Sequence, residues 1–189
     1  MARFARTRKL HAAALASACL AVLGAGSTAT AEESTGGARF VPPPAPPKKA
    51  RIMNGKAVAP RGAPRRVKRV IAYANRLVRK PYRYGGGHQP FSEGIDSGYD
   101  CSGAVSYALY GGRFLRSPLP SGPLMRWGRR GPGRWITVYA HSGHAYIVVA
   151  GLRFDTSMHD PDAHAGRGPR WSKRLRRSSA FVARHPARY

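Results

Sequence analysis

Apolar residues in this chain follow helical spacing first and strand-like spacing later. Between Pro64 and Lys80, residues Val67, Val70, Ile71, Ala74, Leu77 and Val78 fall three and four apart, and arginines and lysines fill the other face. Pro64 suits a first helical turn and Pro81 ends the pattern. A second, shorter helix is expected from Cys101 to about Tyr110, with Ala104, Val105, Ala108 and Leu109 on one face and Gly111-Gly112 as its stop. Trp135 to Ala140, His144 to Ala150 and Leu152 to Thr156 read as strands, the last two joined by a two-residue turn at Ala150-Gly151. Helices followed by an antiparallel sheet make an α+β order, with the helices packed on the sheet.

The remaining segments carry no such period. Glu32 to Ala63, with Pro42-Pro43-Pro44-Ala45-Pro46-Pro47, reads as a semi-rigid linker that cannot build a core. Tyr82 to Tyr99 is a glycine-rich loop, Arg113 to Arg134 is mostly loop, and His159 to Pro169 is another. Ala180 to Ala183 is a last apolar piece. Residues 64–189 are long enough for one small domain and too short for two.

Residues 1–31 read as an export signal. Arg3, Arg6, Arg8 and Lys9 form its basic start, Ala12 to about Gly26 its apolar stretch, and Ala29-Thr30-Ala31 its cleavage site. Cys19 lies inside the apolar stretch without the aliphatic residue that a lipid-attachment box needs three positions earlier. A cleaved product with no stable membrane anchor is therefore expected. It would be secreted, extracellular or wall-associated, and periplasmic in a diderm bacterium.

The chain holds 33 lysines and arginines against 8 acidic residues, a net charge of +25. Removing the signal takes four of the basic residues and leaves 29 against 8, or +21. Such a charge suits a polyanion. An exported protein rarely meets nucleic acid, so none is expected as a partner. The bland alternative is a solubilising, arginine-rich surface.

Cleavage also leaves one cysteine, Cys101, at the start of the second expected helix. A single thiol in an oxidising compartment is either reactive or buried and inert. Asp100 before it and Ser102-Gly103 after it favour the reactive reading. About forty residues on, Ser142-Gly143-His144-Ala145-Tyr146 puts a histidine at the start of a strand. A lone thiol, a helix start and a downstream histidine are the parts of a thiol-nucleophile hydrolase.

Three segments, in order, resemble motifs of the NlpC-type bacterial cell-wall cysteine peptidases. They are Pro81-Tyr82-Arg83-Tyr84-Gly85-Gly86, Tyr99-Asp100-Cys101-Ser102-Gly103 and Gly143-His144-Ala145-Tyr146-Ile147-Val148, and the resemblance covers most of Pro64 to Thr156. It implies a compact papain-like core and hydrolysis of peptidoglycan stem peptides, often after a D-γ-glutamyl residue and before diaminopimelate. It also implies a triad of cysteine, histidine and a third polar residue. Peptidoglycan and anionic wall polymers would be the partners, and a monomer is expected, without cofactor or metal. The gap from Tyr82 to Cys101 exceeds the family's usual one, which makes His88 to Gly98 an inserted loop at the cleft rim.

The residues themselves support those roles. A free thiol with a pKa of about 8.5 is only a few per cent thiolate at neutral pH. A helix start favours an anion by roughly 0.3–1 kcal/mol, about 2 at most, and one pKa unit is worth about 1.36. The helix alone is therefore insufficient, and His144 as imidazolium would supply the missing cation and later protonate the leaving amine. Backbone N–H groups at the helix start, that of Cys101 included, can hold an oxyanion. Tyr82 and Ser102 are candidate oxyanion or substrate-binding residues, although Tyr82 is equally compatible with a structural role. Asp100 reads as the helix N-cap rather than a base, and Gly103 lets the helix start lie against a strand or the substrate.

The third triad position departs from the family's histidine, asparagine or glutamine. Across a two-residue turn at Ala150-Gly151, Asp155 falls opposite Tyr146, on the face of His144, while Thr156 points away. Asp155 is thus the candidate that orients the imidazole. A hydrogen-bonding aspartate outside catalysis is the alternative. His141, His144, His159, Asp160 and Asp162 invite a metal reading, but no second cysteine and no firm His-Glu spacing supports one. On a single strand His141 and His144 would also point to opposite faces. Two other functions stay open: an amidase or acyltransferase of the same fold, and a non-catalytic basic wall-binding protein.

Overall fold

The computed structural model describes residues 49–157 and 168–189. The signal segment, most of the proline-rich stretch, and His159, Asp160, Asp162 and His164 lie outside them. The first expected helix forms as α1, Arg65–Asn75, with Val67, Val70, Ile71 and Ala74 buried. It ends at Asn75 rather than Lys80. Beyond it the backbone tightens into turns, Leu77 N–H to Ala74 O (3.0 Å) and Lys80 N–H to Leu77 O (2.8 Å). These turns carry Leu77, fully buried, into the core ahead of Pro81. Asn75 faces another element: its amide exchanges two hydrogen bonds with the Ala57 backbone (2.9 Å each) and accepts one from Trp171 Nε1 (2.8 Å).

Ala57 belongs to a stretch expected to be linker, and here the expectation fails. Strands β1 (Arg51–Met53) and β2 (Lys56–Val58) pair antiparallel around Asn54-Gly55. Both turn residues have positive φ, 50° and 74°, as a type I′ turn requires. Ala50, Ala57 and Ala63 are buried in the same core as α1, and Ala50 N–H bonds Ala150 O at 2.9 Å. The domain therefore begins upstream of Pro64.

The second helix, α2 (Cys101–Gly111), is buried at every residue from Cys101 to Leu109. α1 packs along one side and the sheet along the other. Gly111 faces the Tyr73 ring, which would collide with any Cβ there. The left-handed residue that turns the chain is Arg113 (φ 58°). Arginines of α1 finish α2: Arg69 Nε donates to Gly111 O, and Arg66 donates to Gly112 O and Arg113 O, at 2.6–2.8 Å. Cations on the last carbonyls also suit the helix dipole, which gives part of the basic face of α1 a structural use.

The long loop after α2 contains one helical turn, α3 (Ser121–Leu124), and a two-residue strand, β3 (Arg129–Arg130). The expected strands form as β4 (Ile136–His141), β5 (His144–Val149) and β6 (Leu152–Asp155). Two unexpected ones join them, β7 (Arg170–Ser172) and β8 (Val182–His185). The described residues form a six-stranded antiparallel sheet in the order β3-β8-β4-β5-β6-β7. Helices packed on an antiparallel sheet make the fold α+β.

Alternation along β5 gives the sheet two characters. Ala145, Ile147 and Val149 enter the main core. On the opposite face Tyr146 is buried, stacked on Tyr139 (4.9 Å, 12°) and edge-on to Phe181 (5.1 Å, 78°). His144 begins the strand on that second face.

Candidate active site

Cys101 is the first residue of α2 and His144 the first of β5, so α2 packing on the sheet brings a helix start to a strand start. The His144 side chain and the Ala145 N–H both act on the Cys101 thiol and stabilise its charged form. His144 Nε2 lies 2.9 Å from Asp155 Oδ1. A carboxylate only accepts, so Nε2 carries a proton, and Nδ1 is the nitrogen left for the thiol. The expected register is present: Val149↔Leu152, Val148↔Arg153 and Ile147↔Phe154 pair around Ala150 (φ 48°) and Gly151 (φ 80°). Continued by one pair, it sets Asp155 opposite Tyr146.

Electrostatics of the three groups are coupled. Burial pushes the Cys101 thiol up, but the neighbouring His144 imidazole, the Ala145 N–H and Ser121 outweigh it, and the thiol sits below its ordinary value. Burial alone would lower His144; the bonds to Asp155 and Cys101 reverse that and push it up to about 9. Burial would raise Asp155, yet His144 and the Ser157 N–H hold its carboxyl below the usual range. All three directions favour a thiolate beside an imidazolium at neutral pH.

The Asp155 side chain is fully buried, and an isolated carboxylate there would cost several kcal/mol. Among the described residues, groups from four residues are placed against it. His144 Nε2 and Ser157 N–H donate to Oδ1, each at 2.9 Å. Arg176 Nη1 reaches Oδ2 at 3.2 Å, and Arg153 Nε stands 3.7 Å from the same oxygen.

Asp100 caps α2 as expected: Oδ1 accepts from Gly103 N–H at 2.7 Å, and its backbone oxygen from Ala104 N–H at 3.0 Å. That leaves the N–H groups of Cys101 and Ser102, which no earlier helical carbonyl can reach, pointing out of the helix start. Ser102 Oγ bonds Asp100 Oδ1 (3.1 Å) and lies 3.2 Å from His88 Nε2. Its hydroxyl is thus engaged in the cap, and its backbone N–H is what it can offer an oxyanion. Tyr82 is 37% exposed, the most open of the expected site residues. Burial first, then the charges of Cys101 and Asp100, raise its phenol.

Gly103 lies against the backbone of Gly86 and Gly87 rather than a strand. The glycine loop is thereby wrapped round the helix start, and Asp100 N–H bonds Gly86 O at 3.0 Å. Gly87 combines a φ of +83° with the Tyr99 ring against its Cα, so no larger residue fits.

Sequence reasoning missed several neighbours. His88, expected in a rim loop, places Nε2 3.1 Å from both Asp100 oxygens; that bond raises its pKa against the lesser effect of burial. Ser121 Oγ lies 3.9 Å from Cys101 Sγ. Arg176 and Phe181 come from the far end of the chain, and no local pattern marks them. His141 and His144 do not share a strand. They are cross-strand partners at a two-residue hairpin, with ring centroids 6.3 Å apart on one side. Among the described residues no group of three or more His, Cys, Asp or Glu is placed to hold a metal.

No protein-family model matches this sequence, and neither does any curated protein. The case for a function therefore rests on the residues. A thiol paired with an imidazole, itself held by a carboxylate, beside outward N–H groups, can attack an acyl carbon, hold the oxyanion and protonate the leaving group.

Proposed function

We propose that this protein is a secreted cysteine peptidase that hydrolyses peptidoglycan stem peptides. The observation that carries the proposal is the grouping of Cys101 with His144, whose imidazole is bonded to the buried Asp155. The resemblance of the three motifs to the NlpC-type peptidases supplies the substrate class. Cys101 attacks the scissile carbonyl as thiolate, and the oxyanion forms against the N–H groups of Cys101 and Ser102, with Tyr82 as a further donor. His144 gives its Nδ1 proton to the leaving amine, then takes a proton from the water that releases the acyl group. Asp155 holds the ring and its tautomer throughout.

A net charge of +21 after removal of the signal supports electrostatic adhesion to anionic wall polymers. Among the described residues no helix is long and apolar enough to cross a membrane.

Defined muropeptides incubated with the purified protein, read by mass spectrometry, test the proposal. A single stem-peptide cleavage is expected, absent with Cys101→Ala. Intact muropeptides with wild-type protein, or hydrolysis retained by Cys101→Ala, would overturn it.

A further inference from the structure

We propose that Arg176 is a positioning residue for the His144–Asp155 pair, fixing the carboxylate through its second oxygen and limiting the negative charge that the imidazole feels. The inference rests on the reading of Cys101, His144 and Asp155 as the catalytic line. The two oxygens of Asp155 have separate partners: Oδ1 faces His144 and the Ser157 N–H, and Oδ2 faces Arg176 and Arg153.

Arg176 lies on the segment between β7 and β8, on the face of the sheet that carries His144 and Tyr146. Its guanidinium is held over two rings, 5.4 Å from the Tyr146 centroid and 5.1 Å from that of Phe181. Phe181 in turn lies 4.5 Å from the His141 ring, and its N–H closes a turn onto Ser178 O (2.9 Å). Both rings lie within cation–π range of the guanidinium and favour its place at Oδ2.

The placement has a chemical consequence. A fully charged carboxylate beside an imidazole, away from water, binds the proton so firmly that the imidazolium becomes a poor acid for the leaving amine. A cation on the far oxygen opposes that pull. Asparagine or glutamine at this position would need no such counterweight; an aspartate does. The other groups in reach are Cys101 from α2 and His141 from β4, facing His144, with Arg153 of β6, Arg170 opposite on β7 and Tyr146 of β5 around Asp155. Arg153 shares a strand with Asp155 and stays in place when Arg176 is changed.

The test titrates the His144 Cε1–H resonance by NMR in wild type, Arg176→Gln and Arg176→Met, the last keeping an apolar stem between the rings. Both variants should raise the His144 midpoint by about half a unit to one unit. The alkaline limb of muropeptide hydrolysis should rise with it, and Arg176→Lys should restore the midpoint. A midpoint unmoved or lowered in both neutral variants, with activity lost, would assign Arg176 to packing alone and overturn the inference. The resonance needs no substrate. A shifted midpoint in a protein that cleaves no muropeptide would therefore sink the proposed function and leave this inference standing.

Discussion

The bond from His144 to Asp155 runs diagonally across the sheet. His144 begins β5, whereas the register sets Asp155 opposite Tyr146, two residues further along. The imidazole thus reaches back along its own strand for its acceptor, and its other edge is turned to the end of the sheet, where Cys101 lies.

That arrangement sets the pH dependence. His144 keeps its proton in the folded protein to about pH 9, against an ordinary 6.5. Its ion pairs contribute their full stability below about pH 6.5 and lose it as pH rises through about 9. Asp155 is shifted the other way, so its contribution is present above the ordinary carboxylate range and fades as pH falls through its depressed value. Hydrolysis should follow a bell. The acid limb, from the Cys101 thiolate, should lie below an ordinary thiol, and the alkaline limb, from His144, near 9. A rate still rising through about pH 10 would remove His144 as the proton donor.

Substitutions at Asp155 should separate charge from geometry. Asp155→Asn retains an acceptor for Nε2 and should reduce turnover moderately, by far less than the ~10⁴-fold that a serine triad loses with its carboxylate, because the thiolate–imidazolium pair already supplies most of the charge separation. Asp155→Leu should abolish turnover and destabilise the fold by about 3–5 kcal/mol, since it leaves Arg176 and Arg153 beside an apolar side chain. Thr156→Val should be harmless in both assays. Its buried hydroxyl has no hydrogen-bond partner among the described residues, and its side chain points away from His144. Turnover measured beside urea denaturation checks the series, and a damaging Thr156→Val with a harmless Asp155→Leu would reverse the assigned alternation.

Asn75 should matter for stability and not for chemistry. Asn75→Ala strands the Ala57 N–H and C=O and the Trp171 Nε1–H, for an expected loss of about 2–4 kcal/mol. Urea denaturation should show it, while the folded fraction retains wild-type turnover.

Gly103→Ala tests the seat of the nucleophile. A Cβ there would meet Gly86 O and come within 2.9 Å of Gly87 Cα, both backbone atoms that cannot swing aside. A loss of about 1–3 kcal/mol is expected, together with slower alkylation of Cys101 as the glycine loop is pushed off the helix start. Wild-type stability and alkylation rate would show that the loop yields freely.

Features set by local chemistry are legible in the residues themselves. Asp100 as cap and the Asp155 register both follow from a few adjacent positions. The hairpin at Asn54-Gly55 carries its turn signal openly, yet its strands are harder to read. They are three residues long, each with a single small or aliphatic inward residue, and they follow a proline run that suppresses any period. His88, Ser121 and Arg176 are beyond reach for another reason. Each acquires its neighbour only when a distant loop folds back, and nothing in its own surroundings in the sequence marks that contact.

The helix that begins at Cys101 is anchored at both ends, by the Asp100 carboxylate at its start and the guanidinium groups of Arg66 and Arg69 at its finish. It is also enclosed along its length, so the thiol cannot travel to meet a substrate without opening the core. Under the proposed function, alignment must come from the peptide, which has to present its carbonyl to a stationary sulfur. Discrimination between peptides then becomes a matter of which backbones can adopt that approach, and the reorganisation that a mobile nucleophile would need during each turnover has already been completed when the chain folds.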